Sequence, residues 1–139
     1  MAERARPIER PRAGYSGTPL PQKLGIKPRG RVALVRAPAD FAETLGPLPE
    51  GARLSGTGAR DLTIWFVRSI RELGAGIERV TGAAAGGPLW IAWPKRASGV
   101  VTDLSENVVR AAGLARGLVD TKVCAIDQTW SGLLFRRRR

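Results

Sequence analysis

Lys95, Ser98, Thr102 and Asp103 are the residues of this sequence whose types and spacing could do chemistry. They stand in Trp93-Pro-Lys-Arg-Ala-Ser-Gly-Val-Val-Thr-Asp-Leu104, which reads as the end of a buried strand, a loop and the start of a helix. In an open α/β sheet, ligands bind outside the carboxyl ends of the strands. A lysine at that place can neutralise a phosphate or carboxylate, and the two hydroxyls can donate hydrogen bonds to it. The N–H groups that open a helix favour an anion as well. Asp103, read as the cap of that helix, competes for the same donors. The competing reading is a surface loop with a capped helix behind it. Tyr15 and Ser16 precede the first regular element and can either fold over the strand ends or pin the N-terminal loop. Trp130, in a terminal hairpin, is the tryptophan expected to stay partly exposed at a pocket or a subunit contact. Trp65 and Trp90 lie inside strand runs and are expected in the core.

The rest of the composition narrows the chemistry. The 139 residues include no histidine and one cysteine. The usual general base, the usual partner of a nucleophilic Ser or Cys, and the commonest metal ligand are therefore missing. No ligand cluster has zinc spacing, so no metal and no cofactor is expected. Cys124 falls in a strand near Lys122, where a buried inert thiol is the ordinary outcome and a lowered pKa the alternative. Net charge is +11, from 23 basic and 12 acidic residues. Much of it sits at the ends, with four arginines against two glutamates in residues 1–12 and the run Arg136 to Arg139 at the close. Such ends bind nucleic acid by neutralising phosphates or simply solvate the chain. No apolar run approaches the roughly 18 residues of a membrane span, and the N-terminus has no apolar core of a secretory signal. A cytoplasmic protein is expected.

The elements that must position these residues can be read from pattern. Residues 1–13 are polar and Arg/Pro-rich and read as a disordered basic tail. A single domain follows over 14–135, and residues 136–139 form a second basic tail. Arg31-Val-Ala-Leu-Val-Arg36, Leu62-Thr-Ile-Trp-Phe-Val67 and Leu89-Trp-Ile-Ala-Trp93 are near-continuous apolar runs, the mark of strands buried on both faces of a parallel sheet. Ala52 to Ser55 reads as a short edge strand. Asp40, Ser69 and Asp103 each precede a Glu by three residues, the spacing of a capping box. They predict three helices. The second places Ile70, Leu73, Ile77 and Val80 on one face, and the third Leu104, Val108, Ala111, Ala115 and Leu118. Thr18 with Pro19 suggests one short helix earlier. Val119 to Ile126 and Leu133 to Arg137 are joined by too few residues for a crossover, so this pair is antiparallel. The fold expected is an α/β three-layer sandwich, Rossmann-like, with a mostly parallel sheet and an antiparallel C-terminal strand.

Two resemblances bear on function. Leu24-Gly-Ile-Lys-Pro-Arg-Gly-Arg-Val-Ala-Leu-Val35 resembles the lead-in to the first strand of class I S-adenosylmethionine methyltransferases. In that family a Gly-x-Gly-x-Gly turn follows the strand, and its glycines let the backbone approach the cofactor. Here Arg36-Ala-Pro-Ala-Asp-Phe41 follows, with no glycine. This resemblance implies the fold and speaks against the usual cofactor site. The span from Gly14 to Arg137 is similar to a family of small bacterial proteins of unknown function. The matching segments are Gly14-Tyr-Ser-Gly-Thr-Pro-Leu20, Trp93 to Leu104 and Thr129-Trp-Ser-Gly-Leu133. It implies a Rossmann-like fold and supplies no activity.

Three functional readings follow. The first is a non-catalytic binding or regulatory domain for a small anionic ligand or a protein partner, with Tyr15, Ser16, Lys95, Ser98, Thr102, Asp103 and Trp130 as candidate site residues. The second is a degenerate methyltransferase-like enzyme using Tyr15, Lys95 or Asp127 for acid–base work. The third is a basic accessory protein that binds nucleic acid weakly through Arg136, Arg137, Arg138 and Arg139. No membrane partner is expected, and a homo-oligomer is left open. Gly56-Thr-Gly58 lacks the Lys-Ser/Thr that follows a phosphate loop and reads as a turn.

Overall fold

The computed structural model describes residues 17–56 and 58–138. Tyr15, Ser16, the expected 1–13 tail, Thr57 and Arg139 lie outside the described residues. Six strands form one sheet: β1 (Arg31–Val35), β2 (Arg53–Ser55), β3 (Leu62–Phe66), β4 (Leu89–Pro94), β5 (Leu118–Ala125) and β6 (Trp130–Arg137). Their spatial order is β2-β1-β3-β4-β6-β5. The first four are parallel, and β6 is antiparallel to both β4 and β5. The helices are α1 (Leu20–Leu24), α2 (Phe41–Leu45), α3 (Ile70–Ala84) and α4 (Glu106–Leu114).

Alternation along the central strands splits the core into two layers. Ile64 and Phe66 of β3 pack with Trp90 and Ala92 of β4, under Leu24 of α1 and Phe41 and Leu45 of α2. Trp65, Ile91 and Trp93 point the other way, against Leu73, Ile77 and Val80 of α3 and Val109 of α4. Successive side chains on a strand point to opposite faces, so a five-residue apolar run feeds both layers. The helices sit close because glycine lets them. A Cβ on Gly76 would lie 2.8 Å from the Trp65 ring, and one on Gly113 would run into Phe135.

Several expectations of detail are corrected. Asp103 does not cap α4. That helix starts at Glu106 behind Ser105, whose Oγ accepts the Val108 N–H at 3.3 Å. The buried face of α4 is Val109 and Gly113, with Ala111 exposed and Ala115 and Leu118 beyond the helix. Asp40 precedes α2 without a side-chain cap bond, and Pro19, not Thr18, stands at the N-cap of α1. Ile70 is 45% exposed, leaving Leu73, Ile77, Val80 and Ala84 as the buried stripe of α3. Arg136 and Arg137 belong to β6, opposite Val119 and Leu118, so the expected boundary after residue 135 falls inside a strand.

Two features of this topology set the ends of the sheet apart. The chain leaves β1 for β2 on one side, and β3 returns on the other. The crevice outside the carboxyl ends of β1 and β3 is therefore the topological switch point. At the opposite end, a bulge at Thr121 separates Asp120, which pairs with Phe135, from Lys122, which pairs with Leu134. The extra residue re-aims the strand. Asp120 meets Arg110 of α4, while Lys122 reaches the Lys23 carbonyl of α1 at 3.0 Å. Among the described residues, no helix is long and apolar enough to cross a membrane.

Candidate functional site

The switch-point crevice is bridged by the protein's own side chains. β1 ends at Val35, and Arg36 turns the chain with φ of 58°, a left-handed conformation that glycine adopts at less cost. The Arg36 guanidinium pairs with Glu72 at 2.8 Å. The other Glu72 oxygen accepts the Arg68 N–H at 2.6 Å, and the Arg68 guanidinium donates to the Arg36 carbonyl at 3.1 Å. Arg68 also lies over the Trp130 ring, 5.3 Å from its centroid. Charge over a ring face is attractive, and Trp130 is fixed in turn by an edge contact with Phe66 at 5.0 Å.

The amino end of α3 faces the same crevice, and the N–H groups of Ile70, Glu72 and Leu73 are taken. Asp103 accepts the Ile70 N–H at 2.8 Å, and the Ser69 hydroxyl accepts the Glu72 N–H at 3.1 Å. The capping box at Ser69 and Glu72 thus forms in part, with Glu72 reaching one residue further back, to Arg68. A helix start attracts anions through its free N–H groups and dipole. Here carboxylates of the chain already supply that charge.

The candidates read from the sequence are brought together only in part. Thr102 donates to the Arg68 carbonyl at 2.8 Å and accepts the Leu104 N–H at 3.2 Å. Trp130 lies under the same Arg68, and Asp103 meets the chain two residues on, at Ile70. Ser98 is spent locally, donating to the Lys95 carbonyl at 2.7 Å and accepting the Val100 N–H at 3.1 Å. Trp130 is buried, not partly exposed, because the β4–β6 ladder sets it opposite Pro94 and beneath Arg68. Lys95 is half-buried at the rim of a cavity of about 810 Å³, shared with Lys23, Glu43 and Asp127. Its N–H donates to the Thr129 carbonyl at 2.8 Å. The Trp-Pro-Lys and Thr-Trp-Ser-Gly-Leu segments are therefore neighbours, and a Cβ on Gly132 would sit 3.1 Å from Trp90. Asp127 holds that turn, its carboxylate accepting the N–H groups of Thr129 and Trp130 at 2.8 Å each. Cys124 is buried, and desolvation pushes its thiol pKa up against the pull of Lys23, Lys122 and Lys95.

Sequence reasoning missed two groups. Arg36, Arg68 and Glu72 were one; the arginine directly after the first strand, where a glycine turn was sought, was their signal. The other is a cavity of about 640 Å³ at the amino ends of β1, β3 and β4. It is lined by six cations, Lys23, Lys27, Arg29, Arg31, Lys122 and Arg136, and one carboxylate, Asp61. Asp61 is committed to Arg31 by a two-pronged pair at 3.0 and 3.1 Å and accepts the Arg31 N–H at 2.8 Å. These bonds hold its carboxyl down at about 2.

No family model and no curated protein matches the chain. Solved structures do resemble it. A protein of the NADB-Rossmann superfamily from Streptococcus agalactiae superposes with a TM-score of 0.55 at 9% identity, over 88% of this chain and 69% of that one. The fold is Rossmann-like. A ribosomal protein L11 methylase from Lactobacillus delbrueckii subsp. bulgaricus gives a TM-score of 0.51 at 14% identity, over 86% of this chain and 76% of that one.

Methyltransferases of this fold hold S-adenosylmethionine at the switch point, and the residues present do not fit it. No glycine stands between Arg31 and Leu45, Arg36 occupies the turn where that family's glycines let the backbone approach the cofactor, and its guanidinium and carbonyl are engaged by Glu72 and Arg68.

Proposed function

We propose that this chain is a binding domain for a small anionic ligand and transfers no methyl group. One observation carries the reading: at the switch-point crevice Glu72 pairs with Arg36 and accepts the Arg68 N–H, Arg68 donates to the Arg36 carbonyl, and Asp103 accepts the Ile70 N–H at the α3 amino end. Lys95 is the counter-charge offered beside that crevice, in the cavity it shares with Glu43 and Asp127. Ser98, Thr102, Asp103 and Trp130 act by shaping its surroundings. The mixed charge of this cavity suits a ligand that carries an anionic group together with N–H or O–H donors for the carboxylates. A cytoplasmic setting and kinship with the small bacterial family belong to the same reading. The lone cysteine fits the first, and the second rests on the Gly14-to-Leu20, Trp93-to-Leu104 and Thr129-to-Leu133 sequence segments alone.

Calorimetric titration with S-adenosylmethionine tests the negative half, with no binding heat expected. Amide NMR shifts on titration with succinate test the positive half. Movement at Lys95 and Thr129 that disappears in Lys95→Ala is expected. Saturable S-adenosylmethionine binding, or succinate shifts that survive Lys95→Ala, overturns the proposal.

A further inference from the structure

The cavity at the amino ends of β1, β3 and β4 lies at the end of the sheet where Rossmann-like folds do not place their ligands. Among the described residues its lining is nonetheless more one-sided in charge than that of the cavity beside Lys95, six cations against one carboxylate. The carboxylate is neutralised by Arg31. Among the described residues, the side chains of Lys27, Arg29 and Arg136 have no carboxylate or hydrogen-bond partner. Like charges gathered on a concave wall repel one another, and they focus a positive potential into it.

The local backbone supports the same conclusion. Lys27-Pro-Arg-Gly30 closes a turn, with the Gly30 N–H donating to the Lys27 carbonyl at 2.9 Å. Pro28 stands second and Arg29 third, with φ of 61°. A turn of this kind calls for glycine at the third position. An arginine held there keeps a strained backbone and gains a guanidinium at the cavity wall. Strain of this sort gathers at binding sites. The bulge at Thr121 adds Lys122 from the far side of the sheet.

The floor is of a different character. Leu24, Ile26, Val32, Leu62 and Leu134 line the cavity and are buried. A cationic rim above an apolar floor fits one molecule with two unlike ends. The volume of about 640 Å³ is that of a small-molecule pocket. Among the described residues no aromatic side chain lines it, so these residues offer no stacking platform of the kind single-stranded nucleic acid uses. Arginine forks and lysines together match a dianion with several acceptor oxygens.

We propose that this cavity binds a phosphate monoester with a compact apolar body. Lys23 lines both cavities but Lys95 lines only the other, so a Lys95 variant tests the two readings separately. The test is calorimetry at low salt with phenyl phosphate, inorganic phosphate and a short single-stranded RNA as probes. The variant is Lys27→Ala/Arg29→Gly/Arg136→Ala, with Arg29→Gly alone as a second variant, since glycine accepts the φ of that position. Phenyl phosphate is expected to bind one site, about tenfold or more tighter than inorganic phosphate. The triple variant should weaken it by about tenfold or more and Arg29→Gly by a smaller factor, both with melting not lowered, since strain and like-charge repulsion are relieved, whereas Lys95→Ala leaves it intact. Equal affinity for the two phosphates, binding untouched by the triple variant, or tighter binding of the RNA overturns the proposal.

Discussion

The two ends of the sheet spend their charge in opposite ways. At the carboxyl end, Arg36 and Arg68 are matched by Glu72, the α3 amino end by Asp103 and Ser69, and Trp130 closes the space beneath Arg68. At the amino end, six cations surround a cavity with one carboxylate, and that carboxylate is already taken. The Rossmann-like architecture offers its crevice at the first end, while this sequence leaves its unbalanced charge at the second. Fold alone therefore misdirects the search for a ligand here, because function lives in side chains grafted on a fold.

Trp90→Ala should break the comparison most severely. Trp90 is fully buried, and its indole N–H donates to the Leu24 carbonyl at 2.8 Å. The loss removes a core side chain and the tie that fixes α1 over the amino-end cavity. About 3–5 kcal/mol of stability should go, read by chemical denaturation. A mild effect would mean that α1 is held by other contacts. Asp103→Ala comes next, at about 1 kcal/mol, since it removes a capping carboxylate from α3. Phosphate-ester binding at the other end should not change with it. If it does change, the two ends are coupled and the contrast drawn between them fails.

The Arg31–Asp61 pair predicts a pH dependence of smaller size. Asp61 titrates at about 2 in the folded chain, below the ordinary 3.8. Its contribution is complete above the ordinary value and is lost as pH falls from there through about 2. Asp61→Asn should flatten the acid limb of the stability curve in that window. An unchanged limb would show that the exposed pair is screened out in solution. Lys95→Ala should do least, shifting stability by no more than about 0.5 kcal/mol. A large loss would make Lys95 a structural ion-pair partner and not a ligand contact.

Much of this was legible in the sequence. Near-continuous apolar runs located β1, β3 and β4, because strands buried on both faces must be apolar at every position. The short Asp127-to-Gly132 connection required an antiparallel pair, and the β5–β6 hairpin has it, with the second strand starting earlier, at Trp130. Ser69 capped α3 as its spacing required. Asp103 was misread because its true partner, Ile70, lies 33 residues away and comes near only through the sheet. The phase of α4 slipped because small residues fill that helix, and Gly113 packs where an apolar side chain was sought. The amino-end cavity was out of reach for the same reason as Asp103. Lys27, Asp61, Lys122 and Arg136 are scattered along the chain and meet only when strand order and the Thr121 bulge are known.

The contrast between the ends is tested most directly by amide chemical-shift mapping of the full chain, with phenyl phosphate and S-adenosylmethionine titrated in parallel. The account predicts that phenyl phosphate moves the amides of Lys27, Arg29, Gly30, Arg31 and Lys122, and that S-adenosylmethionine moves none. Shifts at Arg36 to Asp40 and Arg68 to Glu72 on adding S-adenosylmethionine, with the Lys27 turn silent to phenyl phosphate, would contradict it.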